Sequence, residues 1–271
     1  MEYPLGIDPY AQLLASVMSK KKAVGAEYLV IDIPTGAETK VPTMEKAKVY
    51  AKDFVDLGEM LGIHVECAIT YGEQPVGRAI GPALEAREAI AILEGELHPS
   101  SVIEKACGMA GMLLEMGGMK RGEAKARELL VSGKALDKFR EIVAAQGGDP
   151  HIRSRDIKIG QYSYDITANM CGYVNGMSNK ELVALARAAG SPRDNGAGVL
   201  LHKKRGNRVE NGDPVLTIYA DIRAKLDQAV ELSRKLNPIT IEGMILAKLP
   251  YNQTMVIERT FRPGPSAPQG D

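Results

Sequence analysis

The sequence is poor in cysteine and contains no tryptophan. Its three thiols, Cys67, Cys107 and Cys171, lie far apart and include no Cys-x-x-Cys pair. This spacing argues against a disulfide framework and against a cysteine-bound zinc site, and we expect a reducing, cytoplasmic environment. Because there are also only three phenylalanines, the core must be built mainly from aliphatic side chains and methionine.

Net charge and long apolar runs are absent as well. Lys and Arg total 34, as do Asp and Glu, so a general attraction to nucleic acid or to an anionic membrane is not expected. No run approaches the roughly 20 apolar residues that span a bilayer, and the first residues lack the basic and apolar segments of a secretory signal. Any anion must therefore be bound by a local cluster.

The first part of the chain alternates between helical and strand-like patterns. Helical spacing of apolar residues covers 9–24, 43–62 and 82–95, while the apolar segments 28–33 and 64–70 are typical of strands. This alternation predicts an α/β layer architecture.

A second pattern follows a segment rich in Gly, Pro and charge, residues 147–156. Before it, residues 99–146 have helical spacing throughout, with breaks at glycines; after it, strand-like segments dominate. We predict an α/β domain with a helical segment, a smaller α+β domain and a flexible tail, over residues 1–148, 149–250 and 251–271.

Within the second domain, residues 198–220 are predicted to form a β-hairpin. The turn is placed at Gly206-Asn207 or at Asn211-Gly212, since both are dipeptides that favour tight turns. Amphipathic patterns predict helices over 179–190 and 221–236, and the apolar segment 239–249 is interpreted as a closing strand.

The first helix carries a polar ridge beside three consecutive lysines. Ser16 and Lys20 are four residues apart, so they share one helix face, which lies outside the apolar face. These side chains could be solvated, with the lysines favoured by the negative end of the helix dipole. Alternatively, a hydroxyl and an ammonium are presented to one polar ligand. Spacing alone does not decide between the two interpretations.

The loop before the third helix, GEQPVGRAIG, offers backbone carbonyls ahead of Glu88. A carboxylate closing on carbonyl oxygens could hold a hard cation. The alternative is an ion pair between Glu88 and a basic neighbour along its helix. Lys203 and Lys204, in the predicted hairpin, are interpreted as strand and turn residues rather than ligands.

Four segments in the same order resemble the thymidine/pyrimidine nucleoside phosphorylase family: ASVMSKKKAVG, LVIDIPTG, QPVGRAIGPALEAREA and GVLLHKKRGNRVENGDPVLTIYA. Two further segments, YPLGIDPYAQ and HIRSRDIKIGQYSYDI, resemble its archaeal branch, the AMP phosphorylases. The likeness runs from about residue 3 to residue 250. It implies a three-layer α/β catalytic domain, of which this chain would hold only part, followed by an α/β-hammerhead domain.

The resemblance also implies that something is missing. The sequence contains no Gly-rich phosphate-binding stretch and no TGGTxDxxE motif, and the family arginine that contacts the base would lie at or before Met1. We therefore expect an N-terminally truncated chain, either a fragment or the result of a misplaced gene start. Such a chain is expected to be inactive alone, whereas the longer form would be a homodimer or higher homo-oligomer.

The activity implied is phosphorolysis of AMP, and also of CMP and UMP, to the free base and ribose 1,5-bisphosphate. Family residues that contact the base fall on Ser16 and Lys20. For adenine, protonation at N7 by a general acid would help the base to leave, and Asp8 is the candidate. An elevated pKa would be required for Asp8 to hold that proton near neutrality, and Asp8 is equally a good helix N-cap.

No cofactor is required by this chemistry, although the resemblance implies an optional monovalent cation. Its ligands would be the carbonyls of Val76 and Ala79 and the side chain of Glu88. Two alternatives to an AMP phosphorylase remain: a pyrimidine nucleoside or thymidine phosphorylase, and a non-catalytic module in which the second domain serves as a lid or assembly surface.

Overall fold

The computed structural model describes residues 10–245, so Asp8 and the predicted tail 251–271 lie outside the described part of the chain. The helices are α1 Tyr10–Ala23, α2 Met44–Leu61, α3 Pro82–Leu93, α4 Ser100–Met116, α5 Gly122–Val131, α6 Lys134–Ala145, α7 Asn179–Ala188 and α8 Arg223–Ser233. The strands are β1 Tyr28–Thr35, β2 His64–Tyr71, β3 Ala79–Ile80, β4 Tyr162–Thr167, β5 Gly172–Met177, β6 Gly198–Leu201, β7 Arg208–Val209, β8 Pro214–Ala220 and β9 Ile239–Glu242.

The first unit is a parallel β1–α2–β2 crossover. Strands β1 and β2 pair over their full length, from Tyr28 opposite His64 to Thr35 opposite Tyr71. The connecting helix begins as predicted, because the Thr43 hydroxyl accepts a hydrogen bond from the backbone N–H of Lys46. It ends at Gly62, whose φ of 67° lies in the left-handed region that glycine adopts without strain.

The core of this unit fills the space between α1, α2 and one face of the two strands. Its largest members come from each of these elements: Leu14 and Met18 from α1, Tyr50 and Phe54 from α2, Ile31 and Ile33 from β1. The observed order of helices and strands in this unit confirms the predicted α/β alternation. Among residues 10–245, no helix combines the length and apolar character that a membrane crossing requires.

Helices α4, α5 and α6 form the helical segment, and the breaks fall at the predicted glycines 117–118 and 133. Helix α4 lies against the strands, where the Lys105 ammonium is 2.6 Å from the Asp32 carboxylate of β1. Helices α4 and α5 approach closely where Gly111 meets Gly122: a Cβ at Gly122 would be 2.0 Å from the Gly111 carbonyl oxygen. A larger side chain at this crossing would force the helices apart.

The second unit has its own core and two antiparallel sheets, in the orders β3-β6-β8-β4 and β7-β5-β9. Its central buried residues come from the long strands and both helices; they include Val199, Leu201, Leu216, Ile218, Leu182 and Leu226. The edge strand β3 belongs to the loop before α3 and pairs with β6 across the predicted boundary at residue 148. A strand from before residue 148 is therefore part of a sheet of the second unit.

The predicted hairpin over residues 198–220 is correct in its outer strands and wrong in its interior. Strands β6 and β8 pair as expected, with Leu201 opposite Leu216. Between them, however, the chain turns twice, at the predicted Asn211-Gly212 and at Arg205-Gly206, one residue before the other predicted dipeptide. Strand β7 pairs with β5 instead of with β6 or β8. Residues 202–213 therefore form an excursion: they leave the four-stranded sheet after β6, add β7 to the three-stranded sheet, and return to β8.

The loops that follow β1 and β2 contact the beginning of α7. The Glu38 carboxylate accepts hydrogen bonds from the Ser178 hydroxyl at 3.0 Å and from the backbone N–H of Lys180 at 2.9 Å. The Asn179 side-chain amide donates to the Gly72 carbonyl at 2.9 Å. A carboxylate at a helix N-terminus satisfies free N–H groups and interacts favourably with the helix dipole. This contact joins the two units.

Three hydrogen-bonded polar side chains cross the four-stranded sheet, with a buried threonine at their centre. Thr217, which is 4% exposed, donates to the Asp165 carboxylate at 2.5 Å and accepts from His202 Nε2 at 2.7 Å. Asp165 lies on β4, and His202 directly follows β6, so the hydroxyl ties together three neighbouring strands. Because Thr217 donates to the carboxylate, the proton in the second bond belongs to His202.

Replacing Thr217 by Val keeps the shape of the side chain and removes this hydroxyl. Both partners then lose a hydrogen bond, and we expect the free energy of unfolding to fall by about 1–3 kcal/mol. Thr217→Ser retains the hydroxyl and serves as the matched control. Urea titrations followed by circular dichroism compare the three proteins; equal midpoints for the Val variant and the original chain would contradict the prediction.

Candidate active site

Helix α1 presents opposite faces to the core and to solvent. Leu14 and Met18 are buried, at 9% and 1% exposure, against α2 and β1. Ser16 and Lys20 are exposed on the other side of the helix. The ridge predicted from their spacing is therefore present, and it faces outward from this part of the fold.

The three lysines at the end of α1 differ in their partners. The Lys22 ammonium donates to the Leu61 carbonyl at the end of α2, at 2.6 Å, so Lys22 is a tertiary contact and not a free surface residue. Among residues 10–245, the Ser16 hydroxyl and the Lys20 ammonium have no hydrogen-bonding or ionic partner.

The beginning of α1 is fixed by Tyr10. Its hydroxyl donates to the Asp53 carboxylate of α2, and its ring centroid lies 4.6 Å from that of Tyr50. Burial, the hydrogen bond and the neighbouring negative charge together raise the pKa of Tyr10 well above its usual value. The phenol stays neutral and keeps donating over the whole range of ordinary pH. With Lys22 bound at the other end, α1 is held to α2 at both ends.

The carbonyl-rich loop between β2 and α3 is folded around the Glu88 side chain. Its two carboxylate oxygens accept the backbone N–H groups of Arg78, at 2.9 Å, and Ala79, at 3.4 Å. A Cβ at Gly77 would be 2.2 Å from the same carboxylate, so a larger residue there would displace the end of the Glu88 side chain. The alternative in which Glu88 pairs with a basic neighbour along its helix is not observed in the described residues.

The Val76 carbonyl, one of the expected cation ligands, is shared by two donors. It accepts from the Ser101 hydroxyl at 2.7 Å and from the Lys204 ammonium at 3.3 Å. The same ammonium donates to the Gly77 carbonyl at 2.9 Å and to the Pro75 carbonyl. Sequence reasoning missed this role of Lys204, because no local pattern connects residues 128 positions apart.

Burial lowers the pKa of the Lys204 ammonium to about 8, with a further lowering by the Arg78 guanidinium and an opposing effect of the Glu88 carboxylate. Near pH 7 the ammonium remains predominantly charged. A metal ion bound to the Val76 oxygen would therefore stand beside an existing positive charge, and the two would repel each other.

A cavity of about 610 Å³ opens between β2 and α4. At the carboxyl end of β2 it is lined by Thr70 and Tyr71, and on the helix side by Lys105, whose ammonium pairs with Asp32. The Thr70 hydroxyl also donates to Asp32, at 2.6 Å. In α/β sheets, ligands bind at the carboxyl ends of the strands, which makes this cavity the best-placed cleft of the first unit.

The structure brings some of the predicted residues together and leaves others apart. Val76 lines the 610 Å³ cavity, and Glu88 lies on the other side of the same loop, in a second cavity of about 580 Å³. Ser16 and Lys20 line neither of these two cavities. Sequence reasoning also missed the Asp32–Lys105 pair, which depends on the contact between a strand and a helix far along the chain.

Comparison with known proteins identifies the relatives of this chain. Residues 173–240 match the model of the pyrimidine nucleoside phosphorylase C-terminal domain. The AMP phosphorylase of Methanosarcina mazei is 53% identical over 253 residues, which are 92% of this chain and 50% of the relative. The AMP phosphorylase of Pyrococcus abyssi is 54% identical over 252 residues, again 92% of this chain and 50% of the relative.

This chain is a homologue of the AMP phosphorylases. The resemblance inferred from the order of the motifs is thereby confirmed, and the family model places the pyrimidine nucleoside phosphorylase C-terminal domain within the second unit. The chain spans about half the length of the curated relatives that it matches. AMP phosphorylase 1 of Archaeoglobus fulgidus shows the same relation, with 53% identity over 91% of this chain and 49% of the relative.

Proposed function

We propose that the protein containing this chain is a nucleoside-monophosphate phosphorylase. It cleaves AMP, and also CMP and UMP, with inorganic phosphate, giving the free base and ribose 1,5-bisphosphate. The observation that carries the proposal is the 53% identity to an AMP phosphorylase over 92% of the chain. The proposal includes an α/β-hammerhead arrangement of the second unit, a homo-oligomeric full-length form and a cytoplasmic location.

The chemistry assigns a role to the ridge on α1. As the bond between C1′ and the base breaks, negative charge develops on the departing base, and a preorganised cation lowers the energy of that state. In the proposal, the Lys20 ammonium supplies this charge, and the Ser16 hydroxyl orients the base. Asp8 is the proposed general acid for N7 of adenine.

Three features of the structure support this assignment. Both side chains lie one turn apart on the same face, so a flat ring can contact both. Neither has a competing partner among residues 10–245. Finally, α1 is held to α2 at Tyr10 and Lys22, which keeps the ridge rigid, as a preorganised site requires.

The phosphate-binding residues are proposed to belong to the half of the relatives that this chain does not match. We therefore expect the purified 271-residue chain to release no adenine from AMP and phosphate. A chimera that adds the unmatched half of the Methanosarcina mazei relative should release adenine in proportion to the ribose 1,5-bisphosphate formed. Separation of the products by chromatography measures both.

Two results would contradict this proposal. Adenine release by the 271-residue chain alone would show that it already binds phosphate productively. A folded chimera that cleaves uridine or thymidine, but no nucleoside monophosphate, would instead indicate a pyrimidine nucleoside phosphorylase, the alternative suggested by the name of the matching C-terminal domain. The same substrate panel therefore distinguishes the two activities.

A further inference from the structure

The Lys204 ammonium is surrounded by backbone carbonyls of a loop in the other unit. Its contacts are the carbonyl oxygens of Pro75, Val76 at 3.3 Å and Gly77 at 2.9 Å. An ammonium has three N–H donors and no acceptor, so three carbonyls can satisfy it completely. Three successive carbonyls converging on one point are also the kind of oxygen cluster that binds a hard cation.

Two charged side chains lie near the Lys204 ammonium, and only one of them has the opposite charge. The Arg78 guanidinium is a positive neighbour, and the Glu88 carboxylate is a negative one. Arg78 is directed away, since it donates to the His202 carbonyl at 2.5 Å. No carboxylate is bonded directly to Lys204 in the described residues, so carbonyl dipoles make the direct contacts and Glu88 contributes from nearby.

We propose that the Lys204 ammonium is the built-in cation of loop 75–77 and holds this loop against the second unit. Lys204 shares one ligand, the Val76 carbonyl, with the monovalent metal site that the family resemblance implies. The other two ligands of that site, the Ala79 carbonyl and the Glu88 side chain, are not among the hydrogen-bond acceptors of Lys204 in the described residues. The Val76 carbonyl, which would bind that ion, is already shared by Lys204 and Ser101. Lys204 is thus a positioning residue: it fixes the loop that lines the 610 Å³ cavity through Val76.

The neighbouring lysine offers a matched control. Lys203 donates to the Asp213 carboxylate at 2.9 Å, within the same excursion of the chain, and has no bond to loop 75–77 among the described residues. It carries the same charge one position away. Replacing it tests the loss of a lysine without the loss of the carbonyl contact.

The experiment measures thermal unfolding of the 271-residue chain in potassium, sodium and choline chloride at equal ionic strength. For the original chain we expect one melting temperature in all three salts. Lys204→Ala should melt lower by about 4–8 °C in choline chloride, on the scale of losing the hydrogen bonds of one half-buried charged group in a chain of this size. Because the substitution leaves room between the carbonyls, potassium should restore part of the loss. Lys204→Met, which fills that room, should melt lower and show no potassium effect.

A specific rise in the melting temperature of the original chain with potassium would overturn the proposal. So would a Lys204→Ala variant that melts like the original chain, or one whose melting temperature potassium raises no more than it raises that of Lys203→Ala. If the variants do not fold, acylation of the original chain by an amine-reactive reagent provides an independent test. Mass spectrometry should find Lys204 modified at least tenfold more slowly than Lys21, an exposed lysine with no partner in the described residues. Equal rates would show that the ammonium is not held by the loop.

Discussion

Replacing Lys20 by Ala in the chimera is expected to lower kcat/KM for AMP phosphorolysis by one to two orders of magnitude. The departing adenine carries more negative charge in the transition state than in bound AMP, so an ammonium that contacts it stabilises the transition state more than the ground state. Removal of one preorganised hydrogen-bond donor costs a factor of roughly 100 to 1000 in rate, and an exposed ammonium such as Lys20 stabilises charge less than an enclosed donor. We accordingly expect kcat to fall and KM to change little.

The neighbouring lysines separate this effect from a general loss of positive charge. Lys21 is exposed and has no partner among residues 10–245, so Lys21→Ala should leave kcat/KM unchanged. Lys22 is bonded to Leu61, so Lys22→Ala should reduce stability before it reduces activity. Initial rates of adenine formation over a range of AMP concentrations give kcat and KM for each protein. If Lys20→Ala matches Lys21→Ala, the ridge is ordinary solvated surface.

Elements with local signals were predicted well from the sequence. Helix α2 is one example, because its start depends on the Thr43 hydroxyl and its end on the left-handed Gly62, both read from neighbouring residues. The common face of Ser16 and Lys20 is another, since helical periodicity alone defines it. Whether they have partners among residues 10–245 depends on distant residues, and only the structure shows that they have none there.

Elements that depend on distant partners were not predicted. Strand β3 has two residues, and nothing in its sequence indicates that it pairs with β6, about 120 positions later. In the same way, β7 was assigned to a hairpin with its sequence neighbours but pairs with β5, because hairpin propensity describes the turn and not the choice among available strand edges. The contact of Lys204 with loop 75–77 is of the same kind.

The β3–β6 pair also provides the largest expected effect on stability. Gly198→Ala adds a Cβ that would lie 2.0 Å from the Ile80 carbonyl oxygen and 2.9 Å from Leu84 Cδ1. The first of these atoms belongs to the backbone of the paired strand, so it cannot move without displacing β3. Overpacking of this kind costs about 1–3 kcal/mol and occasionally more, and we expect about 3 kcal/mol here.

On the usual size scale, this loss lowers the melting temperature by roughly 6–12 °C, measurable by calorimetry. Gly108→Ala is the matched control, because a Cβ there meets nothing within 4 Å and alanine is the better helix former inside α4. The two substitutions make the same chemical change, so a difference between them reports the steric clash at the strand pair. A Gly198→Ala protein with the same melting temperature as the control would mean that β3 separates from β6 at little cost, and that other contacts between the two units, such as those of Glu38, Arg78 and Lys204, are sufficient to join them.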